Sequence, residues 1–126
     1  MRTSEFGTIP NLSKKFSREF SLEMFRRGSF TRQFEYQAKH AFDQKLFQIP
    51  IYLCIGQEFN PAAYSMVLKD FQIFAQHRAH GIYLSFGAPP EKLRDELLGL
   101  PSGCSGGMSG SNAIQGPEID MFGHSG

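Results

Sequence analysis

Ala75-Gln76-His77-Arg78-Ala79-His80-Gly81 is the stretch on which the reading of this chain turns. Upstream, residues 70–75 carry Phe71, Ile73 and Phe74, an apolar run of the length of a strand or an extended link. Downstream, residues 80–86 read as a helix that Gly87-Ala88-Pro89-Pro90 breaks. A polar segment between an apolar run and a helix start exposes backbone amides, and the Arg78 guanidinium adds a fork of charged donors. Together they suit an anion, above all phosphate or diphosphate oxygens. An Arg78 ion pair inside the fold explains the same residues equally well. His77 and His80 are spaced to share one helical face, but no third Asp, Glu or His stands at a metal-like spacing, so no metal site is assigned. His40, on an apolar-patterned helix, reads as a partly buried histidine.

Working outward, Leu12, Phe16, Phe20 and Met24 form an apolar stripe on a helix expected to stop near Gly28, behind a loose arm over residues 1–11. A second helix is expected over 30–46, with Phe30, Phe34, Ala38 and Phe42 inward. Residues 49–55 are a short apolar stretch ended by Gly56-Gln57-Glu58. A third helix over 60–69 has Pro61 in its first turn and Ala62, Ala63, Met66 and Val67 inward. A further helix over 90–98 is opened by Pro90 and capped by Gly99. Periodicity then disappears: residues 99–111 hold five glycines and four serines in thirteen positions, which reads as a flexible loop. That loop lacks the GK[ST] ending and the flanking strand and helix of a phosphate loop; it could instead close over a site.

The whole chain has 126 residues, 40% of them apolar, with 13 Phe and a net charge of +1. This excludes collagen, coiled coil and a wholly disordered chain, and no apolar run approaches the ~18 residues of a membrane span. The weak net charge gives no field for nucleic acid, although residues 1–32 carry +4 and the remainder −3. Cys54 and Cys104 fit no CxxC unit and no secretory signal precedes them, so two reduced thiols and a cytoplasmic location are expected. The helices are many and the strands few, and the apolar approach at Met121-Phe122 ends in Gly123-His124-Ser125-Gly126, so the chain reads as part of a larger domain.

The succession Arg32-x-Phe34-Glu35, Gly56-Gln57-Glu58, Ala75 to Gly81, Glu96-Leu97-Leu98-Gly99 and a Gly/Ser loop resembles the alpha subunit of thiamine-diphosphate-dependent 2-oxo acid dehydrogenases, of the pyruvate, branched-chain or acetoin type. The resemblance covers residues 30–126 and divides the chain into an arm and helix over 1–29 and a truncated cofactor-binding domain over 30–126. It implies an α/β thiamine-diphosphate-binding fold of which this is the N-terminal, mostly helical and incomplete portion. It implies decarboxylation of a 2-oxo acid, acyl transfer to a lipoyl-bearing acyltransferase, and a beta subunit as partner, with neither nucleic acid nor membrane. Gln76, His77 and Arg78 fall on the family's cofactor-contacting step, with Arg78 on the diphosphate, and His77 stands where a Tyr is usual, as in acetoin-type members. Magnesium is implied through ligands downstream of Gly126. Tyr52 stands where the family often has a His, and Ala113 replaces the His of the glycine loop; His80 is the candidate catalytic side chain. The alternatives are an assembly module whose Phe16, Phe20, Phe34 and Phe42 bind a partner, or a transketolase-like or decarboxylase reaction on the same cofactor.

Overall fold

Ser17 starts the longest element by accepting the Phe20 N–H on its side chain at 3.0 Å, which satisfies one of the orphan donors of a helix N-terminus. From there a single helix, α1, runs Arg18–Asp43. The structure is a computed structural model and describes residues 2–4, 7–9 and 16–124; Leu12, at the head of the expected first stripe, lies outside them.

The two helices expected on either side of Gly28 are therefore one, and it crosses the 29/30 boundary. A glycine in mid-helix costs about 1 kcal/mol relative to alanine. Here it leaves a gap: a Cβ on Gly28 would sit 2.5 Å from the Phe59 ring. Glu23, paired with Arg26 and Arg27 one turn away, supports the helix through this point. The buried stripe is only in part the one expected: Ala38 is buried and Phe34 packs half-buried against both core clusters. Gly28, Thr31, Glu35 and Ala38 face inward, whereas Phe16, Phe30 and Phe42 are exposed. Small and polar side chains let neighbouring helices approach α1 closely, and the phenylalanines flank that contact. His40 is also exposed, because its helical position lies off the stripe.

At the N-terminal end, Arg2–Ser4 (β1) pairs antiparallel with Gly7–Ile9 (β2), where a loose arm was expected. After α1, residues 50–54 run without regular structure into α2, Phe59–Val67. Pro61 and Ala62 are buried there, but Val67 is 58% exposed, since the helix ends before that face meets a neighbour. β3 is Ile73–Ala75, α3 is His80–Ser85 and α4 is Pro90–Leu97. Gly99 adopts φ +71° just after α4, as its capping role requires. A 3-10 turn over Pro117–Ile119 and left-handed Asp120 then deliver β4, Met121–His124, parallel to β3. The sequence left this closing strand unread, because a four-residue strand interrupted by Gly123 has no legible period.

Helices packed with a two-stranded parallel sheet are what part of an α/β domain presents. The main core gathers Ile73, Tyr83, Leu84, Leu93, Ile114 and Met121, and Ala38, Phe47 and Leu97 form a second cluster beside it. Among the described residues no helix is long and apolar enough to cross a membrane. Leu93 is fully buried in the main core, and Leu98 is 39% exposed on the same stretch. Leu93→Ala is expected to lower unfolding stability by about 3 kcal/mol and Leu98→Ala by less than about 1 kcal/mol, read as urea midpoints.

Candidate functional site

Three carboxylates, those of Glu35, Glu58 and Glu96, have no exposed surface at all. Burying an ionised carboxylate costs several kcal/mol unless donors surround it, so each marks a place where the chain has converged on an acid. Glu35 faces α3 from the middle of α1. Its Oε1 lies 2.6 Å from His80 Nδ1, and its Oε2 accepts the Cys54 N–H at 2.7 Å. On the far side of the ring, His80 Nε2 lies 2.9 Å from Ser111 Oγ, which accepts the Tyr52 N–H at 2.9 Å. The tautomer that satisfies every atom has Nδ1–H donating to Glu35 and the Ser111 hydroxyl donating to Nε2. One buried chain of hydrogen bonds thus joins α1, the 50–54 segment, the head of α3 and the end of the Gly/Ser loop.

Glu58 takes its donors from another direction. Arg32 reaches it with both Nε and Nη2, the latter at 2.8 Å, and the Gly56 N–H adds a third bond at 2.9 Å. Burial pushes the Glu58 carboxyl up, but the Arg32 fork and the backbone amides outweigh it and hold the group below the ordinary carboxylate range. Nearby, burial and the Glu35 charge push the Cys54 thiol up to about 12, which leaves it protonated and unreactive at neutral pH. Cys54 and Cys104 are both free.

The Gly/Ser loop is not the flexible connection its composition suggests. It wraps around Glu96: Oε2 accepts from the N–H groups of Ser105 and Gly107 at 2.7 and 2.8 Å, and Oε1 from those of Ser109 and Gly110 at 2.7 and 3.1 Å. The Ser109 hydroxyl adds a fifth bond at 3.0 Å. A Cβ at Gly103 would meet the Glu96 backbone at 2.7 Å, so glycine is what lets the loop come this close. Burial pushes the Glu96 carboxyl up, yet the amides of Ser105, Gly107 and Ser109 prevail and lower it.

The residues singled out in the sequence divide into two groups. Gln76 and Arg78 are exposed, and half-buried His77 packs its ring edge-to-face with Tyr52 at 5.0 Å between centroids. Arg78 donates from Nη1 to the Leu53 carbonyl, a backbone contact and no ion pair, and the residue lines a cavity of about 160 Å³ together with Cys54, Gln57, Asn60 and Tyr64. His80 belongs to the other group: it is buried, both ring nitrogens are engaged, and it does not line that cavity. His77 precedes α3 and His80 begins it, so the two imidazoles do not share a helical face. Among the described residues no group of three His, Cys, Asp or Glu is placed to hold a metal ion. A larger cavity, about 520 Å³, is an apolar one between α1 and α4 that includes none of Gln76, His77 and Arg78.

Sequence reasoning assigned no role to Glu35, Ser111 or Glu96, the residues that organise this region. A signal for Glu35 existed: it stands on one face with Gly28, Thr31 and Ala38, a stripe too small and polar for an ordinary core. Nothing in the pattern of the loop distinguishes Ser111 from its neighbouring serines.

The chain is 32% identical over 111 residues to the pyruvate dehydrogenase E1 component subunit alpha of Zymomonas mobilis, a match covering 86% of this chain and 31% of that protein. The mitochondrial alpha-1 subunit of Arabidopsis thaliana is 30% identical over 124 residues, 96% of this chain and 31% of its own length. The testis-specific alpha subunit of Rattus norvegicus is 30% identical over 103 residues, 81% of this chain and 26% of its own. No family model matches the chain, and no solved structure matches it significantly. The chain is a relative of these alpha subunits, matches an N-terminal portion of them, and spans about a quarter to a third of their length.

Arg32→Met leaves Glu58 buried without its counter-charge. Because Arg32 itself is 37% exposed, solvent screens the pair and the expected loss of stability is smaller than that of a wholly buried pair. Glu58 and Glu96 lie lower in the folded state than in the unfolded one, so their contribution is complete above the unfolded carboxylate value. It disappears as pH falls through their folded values. Urea unfolding at a series of pH values should show that acid loss in the wild type and a shallower one in Arg32→Met.

Proposed function

We propose that this chain is the N-terminal part of the alpha subunit of a thiamine-diphosphate-dependent 2-oxo acid dehydrogenase, with Gln76, His77 and Arg78 on the cofactor's side of the fold. The observation that carries the reading is Arg78: an exposed guanidinium, aimed by its bond to the Leu53 carbonyl, beside a cavity whose lining also includes the polar side chains of Gln57, Asn60 and Tyr64. That donor set fits the diphosphate end of the cofactor. At about 160 Å³ the cavity is below the ~300–1,000 Å³ of a complete small-molecule site, which agrees with a site finished by protein beyond these residues.

When bound, thiamine diphosphate supplies the carbanion chemistry that releases carbon dioxide from a 2-oxo acid. The chain's residues supply position and charge. Arg78 neutralises diphosphate oxygens, and Gln76 offers an amide donor on the same exposed segment. His77 and Tyr52 pack edge-to-face as an aromatic wall beside this segment. His80 is a positioning residue in this reading: its engaged nitrogens tie the backbone of the Gln76–Arg78 segment to Glu35 and Ser111. Pyruvate is the substrate favoured by the named relatives, with acyl transfer to a lipoyl group on a separate acyltransferase. Magnesium would be held by residues outside the chain. The beta subunit is the expected partner, in the cytoplasm, and the Phe16–Phe20 stack, with Phe16 exposed and Phe20 half-buried, is surface for a protein partner to cover.

Isothermal titration of the assembled alpha and beta pair tests the reading without turnover. Arg78→Ala should weaken thiamine diphosphate about 10- to 100-fold, the loss of one or two charged hydrogen bonds. Thiamine, which lacks the diphosphate, should bind wild type and variant alike. Equal affinity of both proteins for thiamine diphosphate would remove Arg78 from the site and favour a module without catalysis.

A further inference from the structure

We infer that Glu96 is the positioning residue for the Tyr52–His77 wall: by templating the Gly/Ser loop on its carboxylate it places Ser111, and Ser111 in turn fixes Tyr52 and His80. The inference does not rest on the identity of the cofactor.

The geometry runs in one direction. A loop of glycines and serines has no apolar face and, apart from Cys104, places no side chain against the main core, so most of its ordering entropy needs another source of compensation. The Glu96 carboxylate is that source: both oxygens are saturated, and every bond comes from the loop itself. The loop's path is thereby fixed through Gly110, and the next residue is Ser111. Ser111 is buried, and its one hydroxyl meets two groups from different parts of the fold: the Tyr52 N–H and His80 Nε2. Displacing Gly110 by a bond length or two takes that hydroxyl out of reach of both. Tyr52 would then lose the bond that sets its backbone, and with it the angle of its ring against His77.

Carboxylate is the one side-chain group that suits the position. Both faces of the cradle are donors, with two amides on Oε2 and two amides plus a hydroxyl on Oε1. Glutamine keeps the shape and length but turns an NH₂ toward one of those sets, donor against donor. Glu96→Gln is therefore a charge-and-acceptor change without a cavity. Ser111→Ala cuts the chain one step later and leaves the carboxylate cradle whole.

Amide hydrogen exchange of the 126-residue chain, read residue by residue with ¹⁵N imidazole shifts, tests this. In Glu96→Gln the amides of Ser105, Gly107, Ser109 and Gly110 should exchange at least about tenfold faster, with the Tyr52 amide following them. His80 Nε2 should move toward the shift of an unbonded ring nitrogen, while the amides of Thr31 and Ala38 in α1 keep their protection. In Ser111→Ala the Tyr52 amide and the His80 shift should change and the four loop amides should not. Three results would overturn the inference. The loop could stay protected in Glu96→Gln. It could loosen while Tyr52 and His80 remain as in the wild type, which would make the carboxylate a purely local brace. Or all amides, those of α1 included, could loosen together, which would make Glu96 a support of the whole fold.

Discussion

A carboxylate with no access to water must find its donors inside the protein, and Glu35 imposes that condition at the centre of this chain. The acid sits in mid-helix, where the backbone N–H groups around it are already used within α1. Its donors must come from other segments, and they do: the His80 imidazole from the head of α3 and the Cys54 amide from the segment before α2. Each charged bond of this kind contributes about 1.5–3 kcal/mol, and an unmade one costs at least as much. Glu35 therefore fixes where α3 starts relative to α1, how residues 50–54 run, and which way the His80 ring faces. Ser111 extends the same requirement to the loop, because a buried imidazole nitrogen also needs a partner.

The motifs that look unrelated in the sequence are halves of these pairs. Glu35 and Arg32 stand one helical turn apart on α1; Glu35 takes its imidazole from the segment around Arg78, and Arg32 gives its fork to the glutamate of Gly56-Gln57-Glu58. Glu96, in Glu96-Leu97-Leu98-Gly99, takes the amides of the glycine loop that follows. Spacing along the chain is thus a record of distances across the fold.

How much of this could be read beforehand follows from the kind of interaction involved. α4 was legible because Pro90 and Gly99 are local signals that act within one turn of the residues they cap. α2 and β3 were legible for similar reasons. Gly28 misled because a glycine's local meaning, a helix stop, lost to a tertiary one, the approach of Phe59. The phenylalanines misled because apolar periodicity assumes that the most apolar face is the buried one, whereas the close contact of α1 selects small side chains. At the site, what was legible of Arg78 is that it stands on an exposed polar segment before a helix; its reading as an anion donor, and those of Gln76 and His77 as cofactor contacts, belong to the proposal. Glu35, Ser111 and Glu96 were not legible as site residues, since what defines them is a partner between 9 and 59 positions away.

The segment 76–80 shows why a buried network and an exposed site belong to one design. Gln76 and Arg78 are exposed, Ala79 and His80 are buried, and His77 lies between, against Tyr52. Five consecutive residues therefore carry both an outward cation and an inward imidazole. A free segment of that length would let the guanidinium wander, and a wandering charge binds a diphosphate at the cost of its own rotamer and backbone entropy. Here the inward end is held by Glu35 and Ser111, and the outward end by the bond from Arg78 to the Leu53 carbonyl. Leu53 in turn lies between Tyr52 and Cys54, whose amides those same two side chains hold. The segment that bears the cation and the carbonyl that aims it are thus pinned by one set of buried groups, so in the proposed role Arg78 would meet the diphosphate with much of its ordering cost already met by the fold.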